Sequence, residues 1–260
     1  MRSVATILLF IILITYVGLM LFAWFFANGM IFQPPPASYN DGERIIKLAS
    51  GDESIAALHL PNPDARYTIL LSHGNAVDLG SMYPILNEIK KMGFSVFAYD
   101  YRGYGTSSGR PSEQNAYRDI DAAYEYLTKE QNTAPEKIIA LGQSLGGAMA
   151  ADLASRKPVG GLILESTFVT AYRVLTKIPL LPFDQFENIN KIKQVRCPVL
   201  VIHGKQDQVI PFWHGKKLFE QANEPKKSYW VERAGHNNLL EVAGPGYRQA
   251  LQAFAELIEL

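Results

Sequence analysis

The sequence predicts an α/β fold: a mostly parallel sheet flanked by helices, with a small cap and an apolar transmembrane helix at the amino-terminal end. Three observations carry this. Gly142-Gln143-Ser144-Leu145-Gly146 lies between an apolar run, Lys137–Leu141, and a small-residue helical stretch, Gly147–Ala151. That order of strand, cramped turn and helix is what a nucleophile elbow requires. Apolar strand-like runs alternate with helical stretches after an antiparallel start, which implies a parallel sheet covered on both faces. Finally, Val4 to Ala27 contains no charged residue.

The elements follow in chain order. Residues 1–3 form a short tail and 4–27 the anchor. At a rise of ~1.5 Å per residue, such a helix crosses a hydrocarbon core of ~30 Å with length to spare. A cleaved signal peptide is the competing reading. Its apolar core is shorter and ends in a small-x-small site, whereas Trp24-Phe25-Phe26 stands where small residues belong and suits a membrane interface. Arg2 and the terminal amine lie next to the span on one flank; the other carries Asp41, Glu43, Arg44 and Lys47, the two basic residues farther away, and this balance favours the amino terminus in the cytoplasm and the globular part outside. Residues 28–42, with Pro34-Pro35-Pro36, read as a stiff linker. The domain is expected over 43–260.

Within the domain, 44–48 and 54–60 alternate about Gly51-Asp52 as a hairpin. Buried strands are expected at 67–72, 94–99, 137–141, 161–165, 198–203 and 228–231. Helical spacing marks 79–92, 111–130, 213–222 and 239–258. The short connection between Glu165 and Pro198 leaves room for a helix or two around Ile178–Phe183, a small apolar cap.

Composition narrows the chemistry. Hydrophobic residues make up 48% of the 260, enough for one large core or two small ones. Twenty-five basic residues balance 25 acidic ones, so the basic stripe of a nucleic-acid binder is not expected. The single cysteine, Cys197, excludes an intrachain disulfide framework and reads as a buried residue leading into a strand. No metal-ligand cluster stands out, and neither metal nor cofactor is expected.

A serine hydroxyl needs a base within hydrogen-bond reach, and the base a carboxylate to hold its tautomer. Asp207 follows the strand at 198–203 and His236 the one at 228–231, so the chain order Ser144, Asp207, His236 places each member beyond a strand end. Glu165 is the alternative acid. Among rival histidines, His203 reads as packed within its strand, His214 opens a helix, and His59 sits in the early hairpin. His73 reads as a brace for the loop Ser72–Ala76. The oxyanion hole is expected from the backbone N–H groups of Leu145 and Asn75, with Ala76 as fallback if that loop is shifted. Asp100 and Arg102, in a glycine-rich loop, read as holding the loop in shape.

With these residues in hand the chain resembles the α/β-hydrolase superfamily from about Glu43 onward. More narrowly, it resembles a membrane-anchored branch that includes protein depalmitoylases and bacterial serine aminopeptidase-like hydrolases. The strings that carry this are Ser72–Asp78, Tyr99–Gly105, Ser108–Glu113, Gly142-Gln143-Ser144 and Ala234–Asn237. The resemblance implies Ser144 as nucleophile, Asp207 as acid and His236 as base, acting on acyl esters or thioesters. One departure matters: the depalmitoylases attach through a cysteine-rich, lipid-modified amino terminus, and this chain carries an apolar span instead. The expectation is therefore a hydrolase of small-molecule or lipid acyl esters, displayed on the outer face of a bacterial inner membrane. The alternatives are a peptidase using the same triad, which as an aminopeptidase would need acidic side chains near the substrate amine, a place the sequence does not assign to Glu165 or Asp184, and a non-catalytic binding protein of the same fold.

Overall fold

The computed structural model describes residues 4–259; the expected tail at 1–3 lies outside them. The element order is helix α1 (Val4–Ile31), β1 (Ile45–Ser50), β2 (Glu53–Leu60), β3 (Thr68–Ser72), α2 (Leu79–Lys91), β4 (Ser95–Tyr99), α3 (Glu113–Glu125), β5 (Ile138–Gln143), α4 (Gly146–Arg156) and β6 (Gly161–Glu165). Then come α5 (Asn188–Lys191), β7 (Val199–Gly204), α6 (Trp213–Gln221), β8 (Lys226–Val231), α7 (Leu239–Ala243) and α8 (Pro245–Ile258).

The strands form one sheet in the order β1-β2-β4-β3-β5-β6-β7-β8. Only β1–β2 and β2–β4 pair antiparallel; the other pairs are parallel. The central strands are buried on both faces, which is why they read as apolar runs rather than alternating ones. Leu70, Ala140, Leu162 and Val201 point into the core shared with α3 and α4, and Ile69, Ile139, Ile163 and Ile202 into the one shared with α2 and α8. Helix α4 packs so closely that Ala148, Ala150 and Ala151 are fully buried.

Chain direction reverses beside β3, whose neighbours β4 and β5 lead to opposite halves of the sheet. Open α/β sheets bind ligands beyond the carboxyl ends of their strands at such a switch point. Ser144 lies there.

The structure differs from the sequence reading in four places. Helix α1 continues to Ile31, past the expected end at Ala27, because Ala27 and Phe32 are buried against the domain. The linker is likewise docked: the Ser38 N–H donates to Asp78 Oδ2 at 2.6 Å and the Tyr39 hydroxyl to Asp100. The stretch 239–258 divides at Gly244, whose φ of +50° is a left-handed conformation, and Pro245 then starts α8. Between β6 and α5 there is only a single 3₁₀ turn, Tyr172–Val174, and the proline-bearing stretch to Phe183 stays irregular.

Candidate active site

Residue Ser144 sits at the tip of the β5–α4 turn with φ +53°, a strained conformation for a residue with a side chain. The surroundings over-determine it. Its N–H donates to Glu165 O at 2.8 Å, and its carbonyl accepts from Thr167 Oγ1 at 2.7 Å. The flanking glycines are required by close approach: a Cβ on Gly146 would stand 1.9 Å from Ser72 O, and one on Gly142 would stand 2.3 Å from Gly146 O.

From the far side of the sheet's carboxyl edge, His236 Nε2 lies 3.0 Å from Ser144 Oγ, and its Nδ1 lies 2.7 Å from Asp207 Oδ2. The carboxylate is held in turn, since Asp207 Oδ1 accepts the N–H groups of Val209 and Ile210 at 2.9 and 2.8 Å. The loops that carry Asp207 and His236 are tied together by Gln206 N–H donating to Ala234 O at 3.0 Å. Asn238 Oδ1 accepts from Gly235 N–H at 2.8 Å, bracing the loop that carries the imidazole.

The other titratable candidates lie elsewhere. Glu165 is buried behind the elbow, where Gln143 Nε2 and the Tyr247 hydroxyl donate to it at 2.9 and 2.6 Å; burial pushes its carboxyl up. His203 Nε2 bonds Ile210 O at 2.9 Å, and burial lowers its pKa. His59 is half-buried and shifted down for the same reason. Burial pushes the Cys197 thiol up to about 12, which leaves it inert as a nucleophile. Asp100 and Arg102 do not pair with each other. Asp100 accepts from Tyr39 and from the Leu79 N–H, and His73 Nε2 lies 3.1 Å from it. Arg102 instead pairs with Asp119 at 2.8 Å and clamps Ser50 at the end of β1.

His214 accepts the Val169 N–H at 3.2 Å, and burial lowers its pKa to about 4. A histidine depressed in the folded state favours folding when neutral. Its contribution is complete above the unfolded value of about 6.5 and is lost as pH falls toward 4, up to about 3 kcal/mol. Thermal unfolding is expected to show a smaller loss of stability between pH 7 and pH 5 in His214→Gln than in the wild type. An identical loss would contradict the assignment.

Across from the imidazole, Leu145 occupies the N-cap position of α4, and Gly74 brings the loop after β3 against the serine, where a Cβ on it would lie 3.5 Å from Ser144 Cβ. Among the described residues, neither the Leu145 nor the Asn75 backbone N–H donates to an acceptor. The Ala76 N–H, by contrast, is taken by Asn75 Oδ1 at 3.0 Å. The Asn75 side chain has a structural task that the sequence did not disclose. Its Nδ2 donates to Ile31 O at 2.6 Å, and its Oδ1 accepts from Gln33 N–H at 2.9 Å and from the Tyr104 hydroxyl at 2.6 Å.

A cavity of about 460 Å³ is lined by Ser144 together with Phe168, Ile210 and other mostly apolar residues. Among the described residues, no group of three or more potential metal ligands occurs.

Comparison with known proteins bears on this geometry. A family model described as serine aminopeptidase, S33, matches residues 63–183. Alpha/beta hydrolase domain-containing protein 17B of Xenopus tropicalis is 45% identical over 205 residues, covering 76% of this chain and 70% of that protein. The chain belongs to the α/β-hydrolase superfamily. Human alpha/beta hydrolase domain-containing protein 17B is 44% identical over the same shares. Solved structures extend the likeness in fold. The esterase Pf2001 of Pyrococcus furiosus superposes with a TM-score of 0.71 at 18% identity, over 86% of this chain and 98% of that one. Est1E of Butyrivibrio proteoclasticus, solved with ferulic acid bound, superposes with 0.65 at 16%, over 81% and 99%. The chain is thus a hydrolase resembling the depalmitoylase branch, as its motifs suggested.

Proposed function

We propose that this protein is a membrane-anchored serine hydrolase that cleaves carboxylic esters or thioesters through an acyl-enzyme. The observation that carries the reading is the unbroken hydrogen-bonded chain Asp207–His236–Ser144, whose serine lines an apolar cavity. Asp207 fixes the imidazole with its proton on Nδ1, leaving Nε2 to accept the Ser144 proton as Oγ attacks the carbonyl carbon. Charge moves to the carbonyl oxygen, where the N–H groups of Leu145 and Asn75 are available to receive it. His236 then returns the proton to the departing alkoxide or thiolate. A water, deprotonated by the same nitrogen, releases the acid and restores Ser144.

An aminopeptidase working through the same groups needs free acidic side chains for the substrate amine. Asp184 lines the cavity, but its Oδ1 accepts the Tyr172 and Gln185 N–H groups at 2.9 and 2.7 Å, and Glu165 is sealed behind the elbow. Esters are therefore the expected substrates. On the full chain, p-nitrophenyl esters should turn over and aminoacyl anilides should not, and Ser144→Ala should lower ester turnover by about 10⁶. Anilide turnover exceeding that of esters would overturn the choice of bond.

Helix α1 is long and apolar enough to cross a membrane, and all of its first sixteen residues, Val4 to Leu19, are exposed. We place the domain on the outer face of the inner membrane, on the flanking-charge argument above. Protease added to spheroplasts should then reach it; protection until lysis would reverse the orientation.

A further inference from the structure

We infer that α1 is one wall of the acyl-binding site, and that the acyl chain of a membrane-resident ester reaches Ser144 along it from the bilayer. This rests on the hydrolase reading above and adds where the substrate chain lies. The cavity that begins at Ser144 runs between two apolar walls. One is a single face of α1, formed by Leu19, Phe22, Ala23, Ala27, Met30 and Ile31 at helical spacing. The other is the irregular segment after β6, with Val174, Leu175, Pro179, Leu180 and Leu181.

The helix is fixed in this position rather than merely nearby. Trp24 packs edge-on against Phe183 at 5.6 Å, and the Tyr16 hydroxyl donates to Leu180 O at 3.1 Å. At its far end, Ile31 O is a carbonyl without an intrahelical partner, and the Asn75 side chain takes it up. The same residue therefore holds the end of α1 and carries one of the two backbone N–H groups assigned above to the oxyanion.

Length sets the depth. The 28 residues of α1 make a rod of about 42 Å, of which a hydrocarbon core of about 30 Å takes some 20 residues. Counted from Val4, that core ends near Ala23. Leu19, Phe22 and Ala23 then mark the hydrocarbon edge, while Trp24-Phe25-Phe26 fall in the interfacial zone that aromatic side chains favour. Leu175 and Leu180, which line the same cavity as this part of the helix, are exposed, and in water such a patch is costly. Against lipid it is not. The outer end of the groove thus opens where acyl chains already lie, and its inner end is the nucleophile.

Ala23 leaves the groove open because its side chain is a single methyl. The full chain in phosphatidylcholine nanodiscs is to be assayed with p-nitrophenyl butanoate and p-nitrophenyl dodecanoate. Each methylene buried is worth about fourfold in kcat/KM, so Ala23→Trp should cut the dodecanoate-to-butanoate ratio at least tenfold, and Ala23→Leu by less. Val174→Trp, which narrows the groove from the other wall, should act in the same direction and guards against misfolding of one variant. Leu9→Trp, remote from the groove, should leave both rates unchanged. An unchanged ratio in Ala23→Trp and Val174→Trp, or equal losses with both esters, overturns the inference while leaving the hydrolase assignment standing. Wild-type turnover of either ester that survives Ser144→Ala would instead sink the assignment itself.

Discussion

Asp207→Asn is expected to lower kcat/KM by about 10⁴ while leaving the fold intact. His236 Nδ1 lies 2.7 Å from Asp207 Oδ2, and a carboxylate there can only accept, so the ring proton sits on Nδ1 and Nε2 is free to take the proton of Ser144. An amide nitrogen at that position donates instead, which drives the ring proton to Nε2, where it faces the hydroxyl and blocks general-base catalysis. The variant should keep the wild-type melting temperature to within a few degrees, because Oδ1 can continue to accept from Val209 and Ile210. Kinetics on a short-chain ester together with thermal unfolding test this. A loss below tenfold would show that the carboxylate does not set the tautomer.

The second large effect falls on stability. Gly146→Ala adds one methyl group at the start of α4, yet the added carbon would meet Ser72 O at 1.9 Å, Ser72 C at 2.5 Å and His73 O at 2.7 Å. These are backbone atoms of β3 and the loop beyond it, so no side-chain rotation relieves the contact. Either β3 and α4 separate or the elbow turns away from its strained geometry. A cost above about 4 kcal/mol is expected, in the range reserved for severe core disruption. Denaturant unfolding measures it, and a cost below 1 kcal/mol would mean that the elbow relaxes freely. The same shift would displace the loop bearing Asn75, so residual folded protein should also lose ester turnover.

The fold was legible where burial leaves a local imprint. Strands β3 through β7 are enclosed by helices on both sides, so Ile69-Leu70-Leu71 and Leu162-Ile163-Leu164 appear as unbroken apolar runs. Asp207 and His236 could be found because each follows a strand end directly, and the sheet's parallel order brings those ends to one edge. The proximity of their side chains to Ser144 is a tertiary fact that chain order alone only suggests.

What escaped the sequence has equally specific reasons. Helix α1 is apolar all round, so no polar face betrays which side meets protein, and its groove-lining residues look like the lipid-facing ones. The partners of Arg102 and Asp100 are long-range: Asp119 sits on α3 and Tyr39 in the segment after α1. Gly244-Pro245 did announce a break between α7 and α8, but the apolar periodicity through 239–258 masked it. The irregular course near Ile178–Phe183 was written in Pro179 and Pro182, which forbid the helix that the cap had room for.

The central claim is that Ser144 is made nucleophilic by His236, and one measurement addresses it most directly. A fluorophosphonate reacts covalently only with an activated serine, and peptide mass spectrometry locates the adduct. On the full-length protein the adduct should map to Ser144 alone, vanish in Ser144→Ala, and form at least a thousandfold more slowly in His236→Ala. Undiminished labelling of Ser144→Ala, or a labelling rate unaffected by loss of the imidazole, would contradict the account.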